Sequence, residues 1–402
     1  MIYRFGEFSI DPSCFELRRG SEIVPIEPQV FSILVYLVEN RAHVVSKDDL
    51  MTAVWDGRIV SEATLSTRIS AARQAVGDTG DAQNIIRTIR SRGFRFVADV
   101  ADVADVGETD DAHAGIAATT EAMPFSQKIR FCKSDDETQI AYATIGDGPP
   151  LVRAGHWLTH LEHDWHSPVW RPFLNEFAKT FQLTRYDQRG NGLSDWSIRN
   201  AELEAFVDDL AAVVDAAELE RFSLYGTSQG APIAIAYAVR YPERVSHLIL
   251  HGGYVQGRTL RASDAEREQG EAILSLIRHG WGKEGSPFIK AFTSMYIPDG
   301  TKEQTDSMAD LQAQTVSPEN AVTLRRAVDN FDVIDLLAKV AVPTLVIHAR
   351  NDGVQPLDEG RKLAAGIDGS EFVLLDSVNH ALLPQETAWA HLFEAIRGFV
   401  TD

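Results

Sequence analysis

The chain has 402 residues, too many for one ordinary hydrophobic core, so its length predicts two domains. Its hydrophobic fraction of 44% is typical of globular proteins. The net charge of −20 is uneven: residues 1–100 carry 12 basic and 13 acidic side chains, whereas residues 58–95 hold seven arginines against three acidic residues. Because phosphate attraction is local at physiological salt, this stretch could bind nucleic acid within an acidic protein.

Composition and spacing argue against a membrane, secreted or metal-dependent protein. The densest apolar run, Phe31 to Val38, is shorter than the roughly 18 residues that a membrane-spanning helix needs. The opening MIYRFGEFSI lacks the basic and apolar regions of a signal peptide. Cys14 and Cys132 lie far apart, so we expect no disulfide and a cytoplasmic location. No Cys/His cluster has zinc spacing, and we expect neither metal nor cofactor.

The N-terminal hundred residues predict a small sheet followed by three helices. Short alternating runs separated by Gly and Asp-Pro turns, at 3–5, 8–10 and 22–24, indicate an antiparallel sheet. A first helix follows from apolar residues at helical spacing between Phe31 and Val38. Ser46 with Asp49 three residues later is typical of a capping box at the start of a second helix.

The third helix, over 62–76, and the hairpin after it are candidate DNA contacts. The helix buries Leu65, Ile69, Ala72 and Val76 and turns a polar face outward. Two runs, 85–90 and 94–97, flank the turn at 91–93 and predict a β-hairpin with arginines at its tip. Short polar side chains suit base edges and arginines suit phosphates, so the candidates are Thr67, Arg68, Ser70, Arg73, Gln74, Arg87, Arg90, Arg92 and Arg95. The alternative is that these side chains only solvate the surface.

This order of elements, with VSEATLSTRISAARQAVGD running into IIRTIRSRGFRF, resembles the winged-helix effector domain of OmpR/PhoB-type regulators. The resemblance covers residues 2–97. It implies a recognition helix at 62–76, a wing at 86–97, and tandem or dimeric binding to double-stranded DNA. Those regulators carry a phosphoacceptor domain before the winged helix, and here the winged helix comes first. The domain behind it is therefore the better candidate for the sensor.

The sequence predicts three regions: a winged-helix domain at 1–100, an acidic flexible linker at 101–125 and an α/β domain at 126–402. In the third region strand and helix signals alternate, and apolar runs such as 344–347 are continuous, as in strands buried on both faces. A doubly wound, mostly parallel sheet is expected. The mostly helical stretch at about 255–335 interrupts the alternation and predicts a cap.

A catalytic triad is the sharpest expectation for this domain. Gly226-Thr227-Ser228-Gln229-Gly230 lies between a strand and a helix, the context of a nucleophile elbow. Asp352 and His380 each follow a later strand, so Ser228, Asp352 and His380 come in the α/β-hydrolase order of nucleophile, acid and base. Each of the two alone could be an ordinary loop residue. Asp376 competes for the role of acid, but it is very near His380 in sequence.

Stabilisation of an oxyanion needs backbone donors. We expect the N–H groups of Gln229, which follows the nucleophile, and of Trp157, in the turn after strand 150–154. Gly155-His156 stands there in place of the common His-Gly order. Residues directly after this turn are positioned to line a ligand pocket, and the candidates are His160, Glu162, Asp164 and Trp165. A solvated loop with a buried Trp is equally compatible with them.

From residue 126 onward, HLEHDW, RYDQRGNGLSDW, GTSQG and IAYAVRYPERV resemble bacterial α/β-hydrolase domains fused to DNA-binding or signalling modules. The resemblance implies a fold and a site and leaves turnover open. The run 186–195 is expected to be a structural turn. Two hypotheses follow: a homodimeric DNA-binding transcriptional regulator that senses, and could hydrolyse, a small ester-, lactone- or acyl-type ligand, or a serine esterase with an appended regulatory DNA-binding domain.

Overall fold

A computed structural model of the chain describes residues 2–12, 16–20, 22–24, 26, 28–41, 44–55, 62–79, 82–89, 92–98, 100–103, 125–261, 263–282 and 286–401. The chain divides into two compact units, residues 1–118 and 119–402. The boundary falls within the predicted linker, of which residues 104–124 lie outside the described residues. No helix in the described part of the chain is long and apolar enough to cross a membrane.

The first unit begins with an antiparallel sheet in the order β4-β3-β2-β1-β7. Its strands are β1 (Ile2–Phe5), β2 (Phe8–Asp11), β3 (Glu16–Arg19), β4 (Glu22–Ile23) and β7 (Ala101–Val103). Strand β7 corrects the sequence prediction, which placed residues 101–103 in the linker. Three residues are too few to show a periodicity, and they pair through backbone groups with the edge of β1, from Ile2 opposite Val103 to Arg4 opposite Ala101.

Three helices form the core of this unit: α1 (Pro28–Glu39), α2 (Lys47–Trp55) and α3 (Glu62–Ala75). The capping box of α2 is present, since the Asp49 N–H donates to Ser46 Oγ at 3.0 Å and the Ser46 N–H donates to the Asp49 carboxylate at 3.3 Å. The predicted apolar stripe of α3 is buried, with Leu65 and Ile69 at most 2% exposed. This stripe packs in one cluster with α1 and with Phe5 of the sheet.

The three helices are followed by a hairpin of β5 (Ile86–Ile89) and β6 (Gly93–Phe96). Asp78, just beyond α3, anchors the start of this hairpin. Its carboxylate accepts hydrogen bonds from the backbone N–H groups of Thr79, Asn84, Ile85 and Ile86 at 2.9–3.0 Å. Burial alone would raise the pKa of Asp78, but these four donors lower it below its ordinary value. The hairpin is therefore fixed to the end of α3.

The second unit is built on an eight-stranded sheet in the order β15-β14-β13-β12-β10-β11-β9-β8. Its strands are β8 (Lys128–Lys133), β9 (Gln139–Ile145), β10 (Pro150–Arg153), β11 (Gln182–Tyr186), β12 (Phe222–Thr227), β13 (Val245–His251), β14 (Thr344–Ala349) and β15 (Glu371–Leu375). Six strands are parallel; β9 pairs antiparallel with β11, and β8 pairs antiparallel with β9 at the edge of the sheet. This confirms the mostly parallel sheet and adds two edge strands that the sequence did not predict.

Helices cover the sheet and fill the interval of the predicted cap. Those that follow strands are α4 (Leu161–His166), α5 (Trp170–Ala178), α6 (Leu203–Ala216), α7 (Gly230–Arg240), α13 (Leu357–Gly366) and α14 (Thr387–Thr401). Between β13 and β14 come α8 (Arg258–Arg261), α9 (Asp264–Gly280), α10 (Pro287–Tyr296), α11 (Lys302–Thr315) and α12 (Pro318–Val328). The apolar face of α6 is buried, including Phe206, Leu210 and Val214.

Candidate functional site

Ser228 stands at a sharp turn between β12 and α7. Its φ is +53°, a left-handed conformation that costs a non-glycine residue about 1–3 kcal/mol. The Ser228 N–H donates to the His251 carbonyl at 2.9 Å, and the Ala231 N–H donates to the Ser228 carbonyl at 3.0 Å. These bonds hold the turn in the strained geometry that a nucleophile elbow requires.

The two glycines around Ser228 are required by close approach. A Cβ on Gly226 would lie 2.6 Å from the Gly230 carbonyl oxygen and 2.8 Å from Ala234 Cβ. A Cβ on Gly230 would lie 3.0 Å from the carbonyl oxygen of Gly155, in the loop after β10. The absence of both side chains lets strand, helix and loop meet tightly enough to present Ser228 at the end of the sheet.

His380 and Asp352 are brought together as the sequence predicted. His380 Nδ1 lies 2.6 Å from Asp352 Oδ2, and both side chains are at most 5% exposed. The other carboxylate oxygen of Asp352 accepts the backbone N–H groups of Val354 and Gln355 at 2.7 and 2.9 Å. Burial would raise the pKa of Asp352, but His380 and these donors lower it, so the carboxylate stays ionised. The competitor Asp376 instead pairs with Arg350 at 3.6 Å on the surface.

The cap holds His380 from its other side. The N–H groups of His380 and Ala381 both donate to the carbonyl of Tyr296, at the end of α10, at 2.9 and 3.2 Å. The buried Nε2 of His380 has no hydrogen-bond partner among the described residues, and His380 lines one cavity with Ser228. A ring nitrogen fixed on one side by a carboxylate and open on the other is the arrangement of a general base beside a nucleophile.

The two predicted oxyanion donors flank Ser228. Gln229 is the first residue after it, at the start of α7, and Trp157 lies in the loop after β10. Trp157, Ser228 and Gln229 line the same cavity. Within the described residues, no backbone carbonyl accepts the N–H of Trp157 or of Gln229. Both groups are therefore available to a ligand oxygen at this position.

Two cavities meet at Ser228, Trp157 and Tyr296. We name them by their arginines. The Arg153 cavity encloses about 430 Å³, part of it open to solvent, and is lined by Arg153, His156, Trp157, Trp170, Phe173, Tyr225, Thr227, Ser228, His251, Tyr296, Met308, His380 and Ala381. The Arg258 cavity encloses about 330 Å³ and is lined by Trp157, Ser228, Gln229, Tyr254, Gly257, Arg258, Tyr296, Arg325, Val328, Asp329, Val354 and Gln355.

The predicted pocket segment lies elsewhere. His160, Glu162, Asp164 and Trp165 line neither cavity. They belong to a short helix, because His160 caps α4 by accepting the N–H groups of Glu162 and His163 at 3.3 Å. Asp164 is buried against Arg185 at 3.3 Å, and Trp165 packs against the core. The structure therefore does not bring these four residues to the two cavities at Ser228, and their part in ligand binding stays a prediction.

Sequence reasoning missed three basic residues that line the Arg153 cavity, namely Arg153, His156 and His251. Burial lowers the pKa of His156 well below its ordinary value, and burial lowers that of His251 to about 3, so both are neutral at physiological pH. His251 is held by the Tyr225 hydroxyl at 2.7 Å. The signals were an arginine at the end of the apolar run Leu151–Val152, and the reversed Gly155-His156 order.

The turn at 186–195 is structural, as expected. Asp187 accepts the N–H groups of Leu161 and Leu193 at 3.1 and 2.9 Å. Arg189 is buried and donates to both carboxylate oxygens of Asp209 at 2.6 and 2.7 Å. A bidentate pair of this kind fixes the loop to α6 and leaves none of its charge for a ligand.

On the first unit, α3 exposes Thr67, Ser70 and Gln74, and Arg68 is half-buried. Arg73 corrects the prediction: it is 7% exposed, its Nε donates to the Ile86 carbonyl at 3.0 Å, and its guanidinium donates to Thr88 Oγ1 at 2.7 Å. Arg73 ties the helix to the hairpin and does not face outward with its neighbours.

The hairpin exposes Arg87, Arg92 and Arg95, whereas Arg90 lies outside the described residues. Arg87 and Arg95 are directly opposite each other in the register of β5 and β6. Like charges placed across a strand pair repel, which destabilises the hairpin when it is alone. A polyanion on this face would remove that repulsion.

The second unit has relatives of known type. Residues 159–387 match the α/β hydrolase fold family, which is more than half of the chain. The chain belongs to the α/β hydrolase family. A pimeloyl-[acyl-carrier protein] methyl ester esterase from Nitrosomonas europaea is 26% identical over 247 residues, 60% of this chain and 92% of that protein. The structure of an esterase from Exiguobacterium antarcticum is 21% identical, covers 68% of this chain and 99% of that one, and has a TM-score of 0.57.

The first unit matches a second family, described as the C-terminal domain of transcriptional regulatory proteins, over residues 20–96. This confirms the winged-helix prediction and gives the α/β hydrolase a DNA-binding regulatory domain at its N-terminal side. The matches to the two esterases account for 60% and 68% of this chain.

Proposed function

We propose that this α/β hydrolase is a transcriptional regulator that binds promoter DNA through the winged-helix unit and recognises a small ester-, lactone- or acyl-type ligand at Ser228. The observation that carries the proposal is the combination, in one chain, of the winged-helix unit with two adjoining cavities that share Ser228 and Trp157, one of them lined by His380 and the other by Gln229. A ligand bound there contacts the cap through Tyr296, and a shift of the cap is the proposed signal.

We include hydrolysis of the ligand in the same proposal, because cleavage of the bound ligand would end the signal. His380 takes the proton of Ser228, the serine oxygen attacks the ligand carbonyl, and the N–H groups of Trp157 and Gln229 stabilise the oxyanion. His380 then protonates the leaving oxygen, and water releases the acid by the reverse steps. Asp352 orients His380 and stabilises its charged form. We also propose a homodimer in the cytoplasm.

A second candidate is an esterase that carries the winged-helix unit as a regulatory appendage. It is favoured by the relative from Nitrosomonas europaea, whose name describes an ester-cleaving enzyme. In that case DNA binding would be independent of any ligand.

One experiment tests DNA binding and ester hydrolysis separately. Mobility shift of a randomised duplex DNA library across a salt series is measured for the wild type and for Ser228→Ala, with hydrolysis of short p-nitrophenyl esters in parallel. We expect a salt-dependent shift for both proteins and ester hydrolysis by the wild type alone. An absent or salt-independent shift would sink the regulator, and equal inertness of both proteins on esters would sink the hydrolytic step.

A further inference from the structure

Arg153 is a buried cation without a counter-ion. It is 4% exposed at the end of β10, and no described carboxylate forms an ion pair with it. Its Nε is buried and makes no hydrogen bond. Burial lowers its pKa to about 10, so the guanidinium stays charged at neutral pH. A buried, unpaired charge is costly, so its presence needs an explanation.

The neighbouring charges are already committed to other partners. Arg185 pairs with Asp164 at 3.3 Å and also donates to Gln127 Oε1 and to the Leu161 carbonyl, both at 2.7 Å. Asp187 accepts backbone N–H groups. Neither Asp164 nor Asp187 forms an ion pair with Arg153 within the described residues, although one carboxylate oxygen of each has no hydrogen-bond partner there.

Of the two arginines of the other cavity, Arg325 has an ion pair, and Arg258 has a hydrogen bond to a backbone carbonyl. Arg325 donates to Asp329 at 2.8 Å, and Arg258 donates to the Val354 carbonyl at 3.0 Å. Arg153 alone among these three makes no such bond within the described residues. Of the two cavities that reach Ser228, the Arg153 cavity therefore holds the arginine whose side chain makes neither an ion pair nor a hydrogen bond within the described residues.

Arg153 is also fixed in place. Its backbone pairs in register with Tyr225 of the neighbouring strand, one residue before Gly226 of the elbow. Its guanidinium lies 5.0 Å from the ring centre of Trp170, which restrains it by a cation–π contact. Trp170, Phe173 and Met308 give the same cavity apolar walls. A fixed cation, apolar walls and a nucleophile in one cavity suit a short aliphatic chain with an anion at its far end.

We propose that Arg153 binds a carboxylate of the ligand, so that the molecule recognised at Ser228 is a half-ester, half-thioester or lactone of a short dicarboxylic acid. This inference rests on the proposed function for the carbonyl group at Ser228, and on Arg153 alone for the carboxylate. An arginine presents a planar fork of donors that matches a carboxylate, and a charge-assisted pair in a desolvated cavity is strong.

Binding is tested in the full chain carrying Ser228→Ala, so that turnover plays no part. Monomethyl glutarate and dimethyl glutarate, which differ by one carboxylate, are titrated by calorimetry. We expect the monoester to bind about 10- to 100-fold more tightly, and Arg153→Met to remove that preference while Arg153→Lys keeps part of it. Arg221→Met, on the exposed surface, is the matched control and should change nothing.

Turnover is tested in the chain with Ser228 intact, by comparing the rates of cleavage of mono-p-nitrophenyl glutarate and p-nitrophenyl valerate. Arg153→Met should lower kcat/KM for the anionic ester by about 10- to 100-fold and leave that for the neutral ester unchanged. Equal losses on both esters, with a lowered melting temperature, would make Arg153 merely structural and overturn the proposal. Loss of the preference in Arg258→Met instead would also overturn it.

The two proposals fail in different ways. If the wild type cleaves neither ester but the Ser228→Ala chain still prefers the monoester through Arg153, the anion site stands and the hydrolytic step falls. If esters are cleaved but charge makes no difference, hydrolysis stands and the anion site falls.

Discussion

The two candidate functional surfaces of this chain are built in opposite ways. The winged-helix surface is made of exposed side chains such as Ser70, Gln74 and Arg92 that point to solvent. The hydrolase site is made of buried groups, with Asp352 and His380 held at 2.6 Å. Binding of a polyanion depends on the summed charge of several exposed side chains, whereas chemistry depends on sub-ångström placement of a few groups. Substitutions should therefore act gradually on the first and abruptly on the second.

The largest effect is expected from Asp352→Asn. The amide cannot hold His380 in the tautomer that accepts the serine proton, so kcat for ester cleavage should fall about 10⁴-fold. The measurement is initial rates on p-nitrophenyl esters. Asp376→Asn is the matched control, because Asp376 lies nearer to His380 in sequence but pairs with Arg350 on the surface. Comparable losses in both variants would remove Asp352 from the role of acid.

A smaller, graded effect is expected from the wing. Replacing Arg87 and Arg95 together by Ala removes two candidate phosphate contacts, so the slope of log K against log salt should fall by about 2. The measurement is DNA affinity across a salt series, with Arg221→Ala in the hydrolase unit as control. Arg87 and Arg95 lie opposite each other across β5 and β6, and their like charges repel. Removing both should therefore leave the variant at least as stable as the wild type. An unchanged slope would mean that the wing does not touch DNA.

The smallest effect concerns Asp164, next to the hydrolase site. Burial raises its pKa to about 7, against the opposing effect of Arg185, whereas the unfolded carboxyl titrates near 3.9. The folded state then holds the proton more tightly, so the stability it contributes is complete below about pH 4 and lost as the pH rises through about 7.

Melting of the wild type should therefore drop more between pH 5 and pH 8 than melting of Asp164→Asn, by a few degrees. Tryptophan fluorescence follows the hydrolase unit, since six of the seven tryptophans lie beyond residue 126. Parallel pH curves for the two proteins would contradict the raised pKa.

The sequence was informative where a local pattern decides the structure. Helical periodicity predicts the apolar stripe of α3. Ser228, Asp352 and His380 each follow a strand, and because the ends of parallel strands meet at one edge of the sheet, the sequence predicts that the three lie close together. It failed where tertiary packing decides. Whether Arg73 faces solvent depends on where the hairpin packs, and nothing in the helix itself shows that.

The ligand cavity shows the same limit. Residues 160–165 follow the oxyanion loop in sequence, but the His160 cap turns them into a helix that leaves the cavity. Arg153 was visible as a charge in an apolar strand, yet its lack of an ion pair can be seen only when every neighbouring carboxylate has been placed.

The conformation of Ser228 has an evolutionary consequence. A glycine adopts a φ of +53° with less backbone strain than a serine, so Ser228→Gly would stabilise the fold. A protein that only needed an empty cavity to hold a ligand would gain nothing by keeping a hydroxyl on a strained backbone. A serine at this position is what selection for a reactive oxygen would produce, at the expense of a more stable fold.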